Sequence, residues 1–415
     1  MRRQKYIYGL EIGTAKICVV AGEVAPPDQI RLINVVSGRS NGIRKGMVVD
    51  QHAVVNELRE ILARVEEQLD DEIDELYLVV GVPNVVGRDN RVVKHLSNGC
   101  RTVEREDVLD LMEEARVVPV DPTKVILWSE LHKFKLDDRE GITDPVGMVG
   151  SKLEVVTHIV EANANHVAAF TKAIGTLSLD VADVVFSGGC AGLAVLTPEA
   201  RELGSIVIDM GAGVTSYAAY YKGALVASGT IAVGGDHVTN DIAHAFDVSF
   251  VVAEGIKLSY GSALYRPGKT HEEFCVDLGA VRGKRRFSIG ALHMVMQCRL
   301  EETLRIVYEQ ISSICPINLF RRGIFLCGGC AGTPYIVELA KSIFRLPCQI
   351  GVCNSVNGIS SQLSRPEYAS PIGLFMHAAN RELQQYKKRP RAVREVKDFL
   401  GQFAAAFRHA LFNVI

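Results

Sequence analysis

The chain has 415 residues, a hydrophobic content of 48% and a formal net charge of −2. That length exceeds one small core and suits two domains, or two lobes with insertions. The near-neutral charge excludes a general attraction of the body to nucleic acid or membrane, and no run of 18 apolar residues predicts a spanning helix.

The basic start, Met1 to Lys5, runs into a segment too short and too acidic to be a signal-peptide core. Ten cysteines are scattered along the chain, several inside apolar runs (Cys18, Cys327), which predicts reduced thiols and a cytoplasmic protein. Residues 6–12 and 16–23 read as two strands around a tight turn, and 30–37 as a third. Val54, Leu58, Ile61, Leu62, Val65 and Leu69 have helical spacing, and 76–82 is a near-continuous apolar strand of a sheet covered on both faces. This β-β-β-α-β opening is not a dinucleotide-binding start. Between 83 and 162 the texture changes to strand-like pieces (91–95, 124–128, 153–160) around one charged helix (104–116), an inserted α+β unit. A helix at 166–177, a strand at 181–186 and a helix opened by Gly188-Gly189 follow.

A second unit begins near Leu203, with a strand at 205–210, a glycine turn and a hairpin formed by 216–221 and 224–230. Helices are predicted at 236–246 and 250–260, an exposed polar excursion at 266–286, and a long amphipathic helix from Leu292 to Ile311. A strand at 323–327, a helix opened by Pro334 and a helix at 371–383 complete the body. Lys387-Lys388-Arg389-Pro390 reads as a linker.

Two segments share one design. In Glu11-Ile12-Gly13-Thr14-Ala15-Lys16 and in Asp209-Met210-Gly211-Ala212-Gly213-Val214-Thr215, 198 residues later, a strand ending at an acid leads through glycine into another strand. Such turns expose backbone N–H groups as an anion site, and glycine permits positive φ and close approach of a phosphate. Glu11 and Asp209 are placed to hold Mg²⁺ through water, because that ion keeps several of its waters. Either segment alone could be an ordinary hairpin; the pair predicts a triphosphate clamped between two lobes. No P-loop and no GxGxxG after a strand occurs.

A third element, Cys327-Gly328-Gly329-Cys330, offers flat backbone to a purine or ribose, or close strand–helix packing. A similar string, Ser187 to Gly192, lies 140 residues earlier; the offset disagrees with 198, so no simple tandem repeat is inferred. Cys327 and Cys330 form a CxxC without a second ligand pair, which favours a turn over a redox or zinc site. At the C-terminus, Val393, Val396, Leu400, Phe403, Phe407, Leu411 and Val414 line one side of a helix, widened by Phe399 and Phe412. Behind a basic linker this stripe suits an interfacial membrane helix or one docked on the protein's own core.

These segments resemble, in order, the five motifs of the actin/Hsp70/sugar-kinase superfamily. Within it the chain resembles the FtsA family of bacterial cell division proteins from about Lys5 to Leu383, with a matching tail. The segments at 9–16, 42–50, 141–148, 239–246 and 253–257 carry that likeness most specifically. The resemblance implies an α/β, actin-like (ribonuclease H-like) two-lobed ATPase fold. Its first lobe core would be 1–82, 163–202 and 365–386, with an inserted subdomain at 83–162. Its second lobe core would be 203–230 and 312–364, with a further subdomain at 231–311, a linker at 387–390 and an amphipathic helix at 391–415.

The resemblance further implies ATP with Mg²⁺. Phosphate contacts would come from Gly13, Thr14, Ala15, Lys16, Gly211, Ala212, Gly213, Val214 and Thr215, and adenosine or ribose contacts from Gly235, Glu254, Lys257, Gly328, Gly329 and Cys330. By spacing alone, Glu254 and Lys257 are an exposed helix pair. The membrane is expected to take Phe399, Leu400, Phe403, Phe407, Leu411 and Phe412 on its cytoplasmic side, at the division site. Implied partners are the FtsZ C-terminal tail on 231–311, further copies in actin-like filaments, later division proteins and an anionic lipid surface, with no nucleic acid. Ser216 stands where the family's second phosphate motif usually has Asp, which argues for at most weak hydrolysis. A sugar or acetate kinase of the same superfamily would need a general base in the cleft and has no use for the tail. A PilM-like pilus-assembly protein is disfavoured by the tail and by 141–148.

Overall fold

The first sheet grows from the apolar runs of the N-terminal third. In chain order its strands are Ile7–Ile12, Lys16–Ala25, Gln29–Arg39, Glu75–Val80 and Asp180–Phe186. Across the sheet they run fifth, fourth, first, second, third; the first three pair antiparallel and the last two add in parallel. The computed structural model describes residues 6–25, 29–96, 99–118, 121–265, 268, 272–277, 283–353 and 364–388.

The second lobe repeats this order. Its strands are Ser205–Met210, Thr215–Tyr221, Ala224–Ile231, Gly323–Cys327 and Cys348–Ile350, again fifth, fourth, first, second, third, with the same pattern of parallel and antiparallel pairs. Each lobe is therefore one copy of a single topology. The Gly-Gly strings fall at different places in the two copies: Gly188-Gly189 follows the fifth strand of the first, Gly328-Gly329 the fourth strand of the second. That is the physical reason for their discordant offset.

Helix Gln51–Leu69 covers the first sheet with Val54, Leu58, Ile61, Leu62 and Val65; Asp50 caps it by accepting from Ala53 N–H at 3.0 Å. Helices Ser187–Val195 and Ala369–Lys388 pack backbone to backbone, since a Cβ on Gly373 would lie 1.7 Å from the Cys190 carbonyl oxygen. Gly188, Gly189 and Gly192 serve the same tight packing, against Phe186, Trp128 and Tyr220.

The inserted unit is a sheet of strands Val86–His95, Lys124–Leu131, Phe134–Leu136, Arg139–Ile142 and Lys152–Asn163, covered by helix Arg105–Arg116. It has its own core around Val92, Leu111, Leu136 and Val155. It meets the second sheet through one backbone pairing, Val86 with Gly229.

Three expectations change. The polar stretch 266–286 is not simply an excursion: strands Glu273–Asp277 and Lys284–Ser288 form a hairpin there, and Phe274 and Phe287 turn inward. Phe274 stacks on Tyr260 at 4.5 Å between ring centroids, and Phe287 meets Phe246 at 5.0 Å. Alternating strand geometry lets charged neighbours hide these two anchors in sequence. The helix expected to open at Pro334 is preceded by a 3-10 turn, Gly329–Gly332, and begins at Ile336. The last helix runs through Lys388, so two residues of the expected linker belong to it. Residues 389–415, with Phe399, Leu400, Phe403, Phe407, Leu411 and Phe412, lie outside the described residues. Among the described residues no helix is long and apolar enough to cross a membrane.

Candidate functional site

The two glycine hairpins close identically. Gly13 N–H donates to the Lys16 carbonyl at 2.9 Å, and Gly211 N–H to the Val214 carbonyl at 3.0 Å. Among the described residues no protein acceptor takes the tip N–H groups of Thr14, Ala15, Ala212 or Gly213. Four outward donors from two equivalent turns form a concave, anion-seeking surface.

Positive φ, one expected use of the glycines, is absent at Gly13, Gly211 and Gly213. Close approach is what they supply. A Cβ on Gly213 would lie 2.2 Å from Thr14 Oγ1 and 2.9 Å from Gly46 N, so the tips of the two hairpins touch. Gly46 belongs to a two-residue hairpin, Ile43–Arg44 against Met47–Val48, whose Lys45 and Gly46 both take positive φ. Gly46 N–H donates to Thr14 Oγ1 at 3.1 Å, and a Cβ on Gly46 would strike the Gly81 carbonyl oxygen at 2.5 Å and Val214 at 2.8 Å. This hairpin is a third wall of the cleft, and sequence reading gave it no role. The signal was the Lys-Gly pair between two short apolar steps. Arg44 and Lys45 are exposed at its tip.

The acids sit at matched positions behind the hairpins. Glu11 Oε2 is buried and pairs with the Lys16 ammonium at 3.4 Å, an ion pair outside hydrogen-bond geometry, and among the described residues it accepts no hydrogen bond. Burial and then the Glu11 carboxylate push Asp209 up to about 7, with Lys16 opposing. For Lys16, burial works against its charge most, but Glu11, Cys18, Asp209 and Glu367 together outweigh it and the net shift is upward. The Lys16 ammonium also donates to the Glu367 carbonyl and lies 4.7 Å from the Tyr368 ring centre. A buried carboxylate oxygen that accepts no hydrogen bond and has one lysine for its charge, beside a second acid poised near neutrality, fits a hydrated divalent cation.

Helix Gly235–Phe246 starts against the second hairpin: Gly235 and Asp236 N–H donate to the Gly211 and Ala212 carbonyls at 3.0 and 2.8 Å. Glu254 and Lys257 are not a free surface pair. Lys257 Nζ reaches Glu254 at 2.6 Å, Thr239 Oγ1 at 2.9 Å and the Gly235 carbonyl at 3.3 Å, which ties helix Phe250–Tyr260 to that same helix start. Cys330 Sγ donates to the Gly211 carbonyl at 3.4 Å, and burial pushes its thiol up to about 11 against the pull of Lys257. Burial also raises Cys327 well above its ordinary value, the opposite of what a reactive CxxC needs. Gly328 holds φ +81° and would strike Asp209 Oδ1 at 2.5 Å with a Cβ, whereas Gly329 is exposed and has open space on that side.

The structure thus gathers Gly13 to Lys16, Gly211 to Val214, Gly235, Glu254, Lys257 and Gly328 to Cys330 around one cleft. Thr215 turns away from it: the side chain is buried and its hydroxyl donates to the Val233 carbonyl at 2.8 Å. Ser216 is also buried, in a chain of hydroxyls with Ser187 and Thr230 at 2.9 Å each. A separate cavity of about 440 Å³ lies among Trp128, Glu130, Asp183 and His377, away from both hairpins.

Comparison with known proteins agrees with this layout. The family model described as cell division protein FtsA matches residues 206–373, and the one described as the SHS2 domain inserted in FtsA matches 84–161. Together they take in more than half of the chain. The cell division protein FtsA of Pseudomonas aeruginosa is 28% identical over 378 residues, covering 91% of this chain and 90% of that protein. Among solved structures, a PilM-PilN type IV pilus biogenesis complex aligns with TM-score 0.62 at 19% identity, over 91% of this chain and 99% of that one. MreB5 of Spiroplasma citri bound to ADP aligns with TM-score 0.55 at 14% identity, over 92% and 99%. The fold of this chain is that of the actin-like proteins.

Proposed function

Because this chain belongs to the FtsA family of cell division proteins, we propose that it is an ATP-binding adaptor that tethers FtsZ filaments to the cytoplasmic membrane and recruits later division proteins. The observation that carries the nucleotide reading is the pair of equivalent hairpins with unpaired tip N–H groups, Thr14 and Ala15 facing Ala212 and Gly213. The likeness to an MreB structure bound to ADP supports it.

Glu11 and Asp209 would hold Mg²⁺ through water, and that ion supplies positive charge against the phosphates. The protein's own groups do the rest. The hairpin tips donate to phosphate oxygens, Lys16 holds Glu11 in place, and Lys257 braces the start of helix Gly235–Phe246 beside the second hairpin. Gly329 leaves room for a base or ribose. With Ser216 turned into a buried hydroxyl chain, the site is suited to binding and closure more than to turnover.

In this reading closure of the lobes favours filament formation, and residues 391–415 grip an anionic leaflet with Phe399, Leu400, Phe403, Phe407, Leu411 and Phe412. Linked copies would hold through avidity. The FtsZ C-terminal tail would dock on 231–311, where helix Phe250–Tyr260 exposes Val251 and Leu258. The inserted subdomain would serve filament contacts and later division proteins.

The test is co-sedimentation with anionic vesicles, comparing the full chain with one ending at Arg389, each with and without Mg-ATP and FtsZ. The full chain should pellet and carry FtsZ with it, more completely with Mg-ATP, while the shortened chain stays in solution. Equal behaviour of the two chains would remove the membrane reading, and indifference to Mg-ATP the coupling of nucleotide to assembly.

A further inference from the structure

The joint between the inserted subdomain and the second sheet concentrates side-chain chemistry that the proposed adaptor role does not use. Register places His158 opposite Asp89 on one neighbouring strand and opposite Glu130 on the other, so the three share a face. His132, two residues past Glu130, continues on that face, its N–H donating to the Val156 carbonyl at 2.8 Å. One ligand atom each from Asp89, His132 and His158 lies within 4.8 Å of those of the other two.

The outer contacts of these residues suit a metal. His132 Nε2 meets the Leu225 carbonyl at 2.8 Å. A carbonyl can only accept, so the proton sits on Nε2 and the lone pair on Nδ1. A ligating histidine has this arrangement, with its second nitrogen donating to backbone. His158 lies between Asp89 Oδ1 at 2.6 Å from Nδ1 and Ser228 Oγ at 2.9 Å from Nε2. A hydroxyl can donate or accept. Ser228 can therefore give its proton to Nε2 when Nδ1–H faces Asp89, or accept from Nε2–H when Nδ1 turns its lone pair to a cation. The neutral imidazole changes tautomer and no proton need be lost. His158 is buried while the Asp89 side chain is half exposed, which leaves a path for the ion and its water.

We propose that Asp89, His132 and His158 bind one divalent transition-metal ion of the zinc class within the inserted subdomain, beside its joint with the strand Ala224–Ile231. Two imidazoles and one carboxylate select that class over Mg²⁺ or Ca²⁺, which prefer all-oxygen sets. The ion would fix the two imidazoles that reach across the joint, His132 to the Leu225 carbonyl and His158 to Ser228 Oγ, beside the Val86–Gly229 backbone pairing and the Leu225 N–H bond to Glu130.

The full-length protein, stripped with EDTA and dialysed, is titrated with zinc chloride by calorimetry and with cobalt chloride by visible absorption. One ion per chain is expected, with cobalt bands of a nitrogen–oxygen set and no thiolate charge-transfer band. His132→Ala and Asp89→Asn should each weaken binding by about tenfold or more, while both still unfold cooperatively. Glu67→Gln, exposed on helix Gln51–Leu69, should bind like the unaltered chain. The proposal is overturned when the stripped protein takes up no zinc, or when both joint variants bind as well as the parent. A thiolate band, placing the ion on cysteines such as Cys315, or loss of binding in Asp209→Asn alone, placing it at the hairpins, overturns it equally.

Discussion

The two glycine hairpins have one backbone and opposite electrostatics. Each closes by an N–H to carbonyl bond of 2.9 or 3.0 Å, each follows an acid by two residues, and each opens the same strand order. In the first, the closing residue is Lys16, whose ammonium neutralises Glu11 and ties the turn to Glu367 and Tyr368. In the second, the closing residue is Val214, packed under Gly46 and Gly81, and Asp209 has no cation of its own on that hairpin. One lobe carries a prepaid counter-charge and the other a carboxylate that holds its proton to about pH 7. A duplicated fold can thus split one task, with one half fixing geometry and the other sensing what arrives.

The largest effect is expected where the halves touch. In Gly213→Val the new Cβ meets Thr14 Oγ1 at 2.2 Å, which a rotamer change relieves, but also Gly46 N at 2.9 Å and the Lys45 Cα at 3.0 Å, which only movement of that hairpin relieves. The tips must part, and affinity for a fluorescent ATP analogue should fall by about tenfold to a hundredfold, equivalent to about 1.4–2.8 kcal/mol. Unchanged affinity would mean that the two hairpins do not act on one ligand. The next effect belongs to the first hairpin alone. Lys16→Met keeps the aliphatic stem but leaves Glu11 without its cation, and denaturant unfolding should show a loss of about 2 kcal/mol. Stability equal to the parent would show that the counter-charge is dispensable and that the contrast between the lobes is superficial.

Sequence carried this site unevenly, for physical reasons. The hairpins were legible because acid, glycine and alternating apolar residues are local signals. The shared strand order was not, because parallel neighbours such as Glu75–Val80 beside Ile7–Ile12 are set by packing across many residues. The glycines were legible as special, but one of the two expected uses fails: Gly213 does not need positive φ, and its contact with Thr14 is invisible until both lobes are folded. The Lys45-Gly46 wall was missed because its partners, Thr14, Gly81 and Val214, come from three distant segments. Lys257 looked like half of a surface pair because i, i+3 spacing cannot show that Thr239 and the Gly235 carbonyl wait above it.

The smallest effect tests the second hairpin by pH. An ordinary aspartate loses its proton near 3.8, whereas burial and Glu11 hold that of Asp209 to about 7. The folded state therefore binds a proton that the unfolded chain has already released. Its contribution to stability is complete below about pH 4 and is lost as pH rises through about 7. In EDTA, without nucleotide, the Tm of the parent should fall between about pH 4 and pH 7, and a surviving contribution of about 1 kcal/mol corresponds to about 2 °C in a chain of this size. Asp209→Asn has no proton to give up, so its curve should lack that component and cross the parent's as pH rises. Parallel curves would show that Asp209 titrates like an exposed acid and that both hairpins are electrostatically alike. With Mg-ATP present the slope should shrink, because a cation beside the carboxylate favours its charged form and stabilises the folded state where the free protein loses most.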